Sequence, residues 1–189
     1  MHAPVRTVAP AEKVVTLGAV KQHLRVDFAD DDALIEALIQ AAIDHLDGWG
    51  GILGRALVNQ TWRQDFGGFY ACEKLRLPLV PVTEAPTVTY YDSNNAQQTL
   101  SDTHWQVLTD ALGPYVALKP DQSWPSSYSR ADAVSVTFVA GYGAAGADVP
   151  VALQVAIMTH VKMNYDPESR ETLQPMFDAL VGPYRRFKL

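Results

Sequence analysis

The chain has 189 residues, 48% of them apolar and 19% charged, a globular composition rather than a disordered one. Its formal net charge of −6 has the wrong sign for a protein that grips nucleic acid by its phosphates. A single cysteine, Cys72, excludes an intrachain disulfide and a cysteine-built zinc centre, and no apolar run reaches the roughly 18 residues of a membrane-spanning helix.

Residues 1–15, MHAPVRTVAPAEKVV, lack the apolar core of a secretory signal and read as a loose N-terminal arm. Thr16 is a suitable N-cap for a short helix through about Arg25, with Leu17, Val20 and Leu24 on one side. The strongest periodicity follows, in DDDALIEALIQAAIDHL from Asp30 to Leu46. Leu34, Leu38, Ala42 and Leu46 form one row and Ile35, Ile39 and Ile43 the next, a broad apolar stripe on an α-helix. The aspartates suit the helix start, where a carboxylate caps backbone N–H groups and opposes the dipole. The opposite face carries Glu36, Gln40, Asp44 and Asp47. Gly48, Gly50, Gly51 and Gly54 give the helix a vague end, each costing about 1 kcal/mol against alanine.

From about Ala56 the period becomes two: Val58, Gln60, Trp62, Gln64 and Phe66 alternate with Asn59, Thr61, Arg63 and Asp65. Further strands are expected at 73–77, 87–91, 97–100, 105–108, 115–119 and 134–140. Pro78, Pro81 and Pro86, the hairpin signal Asp92-Ser-Asn-Asn95, Gly113-Pro114 and the Trp124-Pro125 loop separate them. Helical spacing returns after Pro150, with Leu153, Ile157, Val161 and Tyr165 in one row and Val151, Val155 and Met158 beside it. That helix is apolar on most sides and should be central. Pro167 ends it, and a last short helix spans about Leu173 to Val181. The expected fold is α+β: a helical core from 16–55 and 147–183, an inserted and mostly antiparallel β module at 56–146, and a C-terminal tail at 184–189.

Six features could carry chemistry. Gly141-Tyr-Gly-Ala-Ala-Gly146 matches G-x-G-x-x-G, but Ala147-Asp-Val149 separates it from the next helix, so no helix N-terminus meets a phosphate; a flexible connection is the simpler reading. Asp27, Asp30, Asp31 and Asp32 lack the glycine and distal glutamate of a calcium loop, and helix capping accounts for them. Ser101, Asp102 and His104 are close in sequence, which does not make a triad, and there is no G-x-S-x-G elbow. His23, His45 and His160 fall singly on helices and read as surface or interface residues. The helix pair 17–25 and 30–46 loosely resembles a helix-turn-helix, but its second helix shows acids where phosphates would lie. No catalytic, cofactor-binding or metal-ligating residue is assigned. The last feature is Tyr184-Arg185-Arg186-Phe187-Lys188-Leu189, three basic groups with two aromatics and a leucine, suited to docking on an acidic partner or to a solvated tail.

Taken together, Val20-Lys-Gln-His-Leu-Arg-Val-Asp27, Asp30-Asp-Asp-Ala-Leu-Ile35, Gly54-Arg55, Leu77-Pro78, Pro81-Val82, Val88-Thr-Tyr-Tyr-Asp92, Trp124-Pro125, Phe138-Val-Ala-Gly-Tyr-Gly143, Val149-Pro150 and Pro183-Tyr-Arg185 resemble the head–tail connector (portal adaptor) family of tailed phages and of gene transfer agents. The resemblance implies a structural, non-enzymatic virion protein without cofactors. It would be made in the bacterial cytoplasm and stand at the head–tail junction of a phage or phage-like particle. It implies a homo-oligomeric ring, typically a dodecamer, beneath the portal protein, with stopper or tail-completion proteins below. Double-stranded DNA would pass through without specific binding and no membrane would be involved. By position, residues 184–189 would dock on the portal, and Glu36, Gln40, Asp44 and Asp47 would line the channel or a subunit interface. Relatives are more helical, so the long β module is a departure. A tail-completion or stopper-type virion protein, or a nucleotide-binding enzyme using residues 141–146, are the alternative readings.

Overall fold

The computed structural model describes residues 2–69 and 74–186. The chain is α+β and forms two compact units, one from residues 10–59 and 141–189, the other from 1–9 and 60–140. Cys72 lies outside the described residues, as do Phe187, Lys188 and Leu189.

The helical unit is made from two stretches of sequence. Helix α1 (Leu17–Leu24) starts as expected, with the Thr16 hydroxyl accepting the Ala19 N–H, and it ends at Arg25 in the left-handed conformation, φ 62°. Helix α2 (Asp32–Leu46) buries Ile35, Ile39, Ala42, Ile43 and Leu46. The stripe is therefore rotated from the expected one: Leu34 is 52% exposed and Leu38 only half-buried. The aspartates do not cap α2 with their side chains. Asp31 instead accepts a 2.5 Å hydrogen bond from the Tyr165 hydroxyl, and Asp32 pairs with Lys21 at 2.5 Å. These carboxylates tie α2 to its neighbours, a tertiary role that local periodicity does not encode.

Helix α3 (Val151–Tyr165) buries Leu153, Ala156, Ile157, Thr159, Val161 and Met163 on several sides, as its apolar circumference predicts. It packs against α1, α2 and the last helix, α4 (Arg170–Val181). Helix α4 starts earlier than its apolar residues indicate, through a 3-10 turn at Pro167–Ser169, and carries Pro175 within it. One core results: Val20 from α1, the α2 stripe, Leu53 and Leu57, the α3 residues, and Phe177 and Val181 from α4.

The other unit is built on two antiparallel sheets. The N-terminal stretch is not simply an arm. Val5–Val8 forms strand β1, which pairs with β2 (Gln60–Phe66) across a register shift between Arg6 and Val8. The first sheet runs β1-β2-β8-β4-β5, with β4 at Thr87–Tyr91, β5 at Gln97–Thr99 and β8 at Val134–Ala140. The second runs β3-β7-β6, with β3 at Leu75–Arg76, β6 at Trp105–Asp110 and β7 at Gly113–Leu118. Period two is realised in full where β2 faces β8. Gln60, Trp62, Gln64 and Phe66 stand opposite Ala140, Phe138, Val136 and Val134, and all eight are buried.

Turn chemistry follows the sequence. Asp92 accepts the N–H groups of Asn94 and Ala96, and Asn95 takes φ 60°, closing the β4–β5 hairpin. The β6–β7 turn closes on Gly113 at φ 113°, with Asp110 accepting the Leu112 N–H. Arg76 clamps Asp110 with two bonds of 2.9 and 3.0 Å, which holds that carboxyl well below its usual range. Among the described residues no helix is long and apolar enough to cross a membrane.

The rotated stripe yields a paired prediction. Ile39→Asp forces an unpaired charge into the helical core and abolishes cooperative melting, a loss of more than about 4 kcal/mol. Leu34→Asp, five residues earlier on the exposed side, leaves the melting temperature within a few degrees of the parent. Thermal melts followed by circular dichroism distinguish the two.

Candidate partner-binding surface

The motif segments at residues 54–55, 141–143 and 183–185 are far apart in sequence and meet in the helical unit. Helix α2 stops sharply at Leu46, and residues 47–57 fold back along its end. Gly48 adopts φ 72° and donates to the Arg55 carbonyl at 2.6 Å, and Gly54 adopts φ 62°. A Cβ on Gly51 would stand 2.3–2.4 Å from the Leu46 and Asp47 carbonyls. The glycines thus terminate the helix by fitting a tight loop rather than by fraying it.

Arg55 projects from this loop and donates through Nε to the Tyr184 carbonyl at 2.7 Å, while the Arg186 N–H donates to the Leu53 carbonyl at 3.1 Å. Tyr184 packs half-buried against the helical core at the end of a 3-10 turn, Gly182–Tyr184. The described part of the tail is therefore a strap on its own unit. Arg185 stays exposed, 3.7 Å from Asp178. Burial, and then the nearby Arg55, lowers the Arg186 guanidinium from its ordinary value. Tyr142 stands beside them, its phenol raised chiefly by burial, and its N–H donates to the Leu57 carbonyl at 2.8 Å.

The acidic row of α2 divides. Gln40 and Asp44 are exposed and share a 2.9 Å hydrogen bond. Glu36 is paired with Lys13. Asp47 turns to its own chain, where its carboxylate accepts the Leu57 N–H at 2.7 Å. Three of the four residues thus lie on the outer face, and the fourth holds the loop after α2.

The glycine loop has a different occupant from the one a nucleotide site needs. A Cβ on Gly141 would meet the Asn59 backbone at 2.4–2.5 Å, one on Gly143 the Asp148 side chain at 2.2 Å, and one on Gly146 the Lys13 carbonyl at 2.4 Å. The chain itself fills the space beside each glycine. Asp148 also accepts the Ala145 N–H at 2.9 Å, placing a carboxylate where a phosphate would lie. In the 101–104 turn, Ser101 Oγ contacts Thr103 at 2.9 Å, Thr103 contacts His104 Nδ1 at 3.2 Å, and the Asp102 carbonyl accepts Lys119. Among the described residues no three His, Cys, Asp or Glu side chains gather as a metal site.

One grouping escapes sequence reasoning. His45 of α2 and His160 of α3 stack with ring centroids 5.1 Å apart, and Phe177 of α4 lies 5.5 Å from His160 and 6.2 Å from His45. Burial first, then His45 and Arg170, lowers the His160 pKa. The two histidines lie 115 positions apart, so no local pattern announces the pair.

Residues 14–75 match the family model for the phage gp6-like head–tail connector protein. No curated protein matches the sequence. Solved structures that share the fold include three from gene transfer agent particles. The neck of an empty gene transfer agent particle has a chain of TM-score 0.76 at 20% identity, covering 100% of this chain and 97% of the other. A chain in the virion of a native gene transfer agent particle gives the same values. One in the neck of a native gene transfer agent particle, computed with twelvefold symmetry, gives TM-score 0.75 at 18% identity, with 100% and 97% covered. At such identities the likeness is one of fold, and it spans both units and both segments of the helical unit.

The glycine geometry makes a prediction. Gly141→Ala drives a Cβ into the Asn59 backbone at φ 153° and destabilises the protein by roughly 1–3 kcal/mol, measured by urea unfolding.

Proposed function

We infer that this chain, whose residues 14–75 carry the gp6-like head–tail connector pattern, is a structural subunit of a phage or gene transfer agent neck. The observation that carries the reading is that family match, set in a full-length fold shared with chains of gene transfer agent necks. The work of such a protein is assembly, not turnover.

In this reading copies stand side by side as a ring, a dodecamer in keeping with the twelvefold neck above, with the portal protein on one side and a stopper or tail-completion protein on the other. Free subunits are monomeric or weakly associated, and the portal templates the ring. Double-stranded DNA passes through the middle. A conduit must let phosphates slide, and a net charge of −6 keeps the chain from holding them. Glu36, Gln40 and Asp44 line the channel or a subunit boundary; Asp47 drops out of that surface because its carboxylate serves the loop after α2.

The C-terminal segment docks on the portal. The Arg55 and Leu53 hydrogen bonds fix its root, so Tyr184 and Arg186 set its direction while Arg185 offers an exposed charge. An anchored root reduces the entropy lost when the end binds. Phe187, Lys188 and Leu189 complete the docking peptide.

Electron microscopy of purified particles tests the position: density for this chain belongs between portal and tail, and density elsewhere, as for a tail-tip or capsid component, ends the reading. A second measurement tests docking. Arg185→Glu combined with removal of Phe187–Leu189 leaves the melting temperature within a few degrees but prevents attachment to portal-bearing heads, seen by co-sedimentation. Full attachment by that variant would assign docking to another surface.

A further inference from the structure

The ring stack of His45, His160 and Phe177 joins three helices at one point: α2, α3 and α4. Helix α4 has few other deep anchors. Phe177 and Val181 are its only fully buried residues among those described, and Pro175 interrupts its hydrogen-bond ladder. What holds Phe177 therefore holds much of α4. The rings that pack on it are two imidazoles, His45 and His160, and they face each other.

The charged groups that act on His160 have one sign. From α2, His160 is faced by His45; from α4, by Arg170; on α3 itself, by the Asn164 amide, whose Nδ2 donates to the His160 carbonyl at 2.7 Å and lies 3.3 Å from its Nδ1. Arg170 in turn donates to the Asn164 Oδ1 at 2.6 Å. Asp44 and Asp47 beside His45 are hydrogen-bonded to Gln40 and to the Leu57 N–H, and Asp178 beside Phe177 to Gln174, with Arg185 at 3.7 Å. A proton on His160 thus meets positive charge from both flanking helices.

We propose that the His45–His160 pair is an acid-sensitive latch that holds α4, and the C-terminal strap following it, on the helical core. While His160 is neutral it stacks on His45 and packs on Phe177, and α4 stays closed. Protonation of His160 sets an imidazolium against the His45 ring and beside Arg170, and the contact with α4 opens first because α4 has the fewest alternatives. The sign follows from linkage. His160 binds its proton less readily folded than unfolded, so the contact's stability is complete above the ordinary histidine pKa of about 6.5. It is lost as pH falls through that value toward the lowered one. The latch does not depend on the neck assignment. If both hold, mild acid would free the strap that roots the docking peptide.

Amide hydrogen exchange on the full chain tests this, compared as protection factors at about pH 7.5 and about pH 5.5. For the parent, protection across residues 170–181 should fall roughly tenfold or more on acidification, while the middle of α2 and α3 holds. His45→Phe with His160→Phe keeps aromatic stacking without a titrating group and should remove that pH response. His45→Glu, at an exposed position, supplies the missing carboxylate and should preserve or raise α4 protection at the lower pH. Because His45 is exposed, His45→Glu still decides the question if the double variant does not fold. The proposal is overturned if the parent loses protection evenly through all four helices. It is equally overturned if α4 shows no loss, or if either variant responds to acid as the parent does. None of these outcomes bears on the particle position tested by microscopy.

Discussion

The structure depends on two stretches of chain, separated by the whole sheet-bearing segment, closing on one apolar core. Ile35, Ile39, Ala42, Ile43 and Leu46 of α2 share that core with Leu153, Ala156, Ile157 and Val161 of α3. Joining stretches about a hundred positions apart costs loop-closure entropy, which grows only slowly with length, so a long insertion between them is tolerable. Each fully buried aliphatic side chain contributes about 1.5–3 kcal/mol, enough in sum to offset that closure. The folded sheet unit also has its own buried core, from Trp62 and Phe66 to Val134 and Phe138, so the insertion brings its own stabilisation.

This closure makes a surface out of fragments. The Asp47–Leu57 loop, the Gly141–Gly143 segment and the Tyr184–Arg186 strap are joined by backbone hydrogen bonds, with Arg55 reaching the Tyr184 carbonyl. Each piece looks ordinary alone. Glycine at 51, 141, 143 and 146 follows from how closely those pieces approach, and the resemblance of residues 141–146 to a phosphate loop is a by-product of that packing. The corner these pieces form fixes Tyr184 and Arg186 against the helical core.

The elements were legible where local period and turn chemistry agreed. The alternation of Gln60 to Phe66, the Asp92–Asn95 hairpin and the Thr16 cap all appear where their residues put them. The candidate surface was less legible. The role of Asp47 depends on the Leu57 N–H ten residues on, and Asp31 and Asp32 spend their carboxylates on Tyr165 and Lys21 instead of on a cap. Strand β1 was hidden because four exposed residues show no alternation, and only the free edge of β2 recruits them.

The sequence by itself determined that α2 and α3 would be helices with large apolar faces, that β2 and β8 would each bury one side, and that the segments would succeed one another in that order. Those facts rest on side-chain period, which a single segment carries. Only the tertiary structure decided which side of α2 faces inward, leaving Leu34 outside, and which acids serve the chain itself. It also brought His45 against His160 and folded Tyr184 back onto the core. A periodic pattern fixes a stripe only to within one neighbouring row, and partners from distant parts of the chain choose the row.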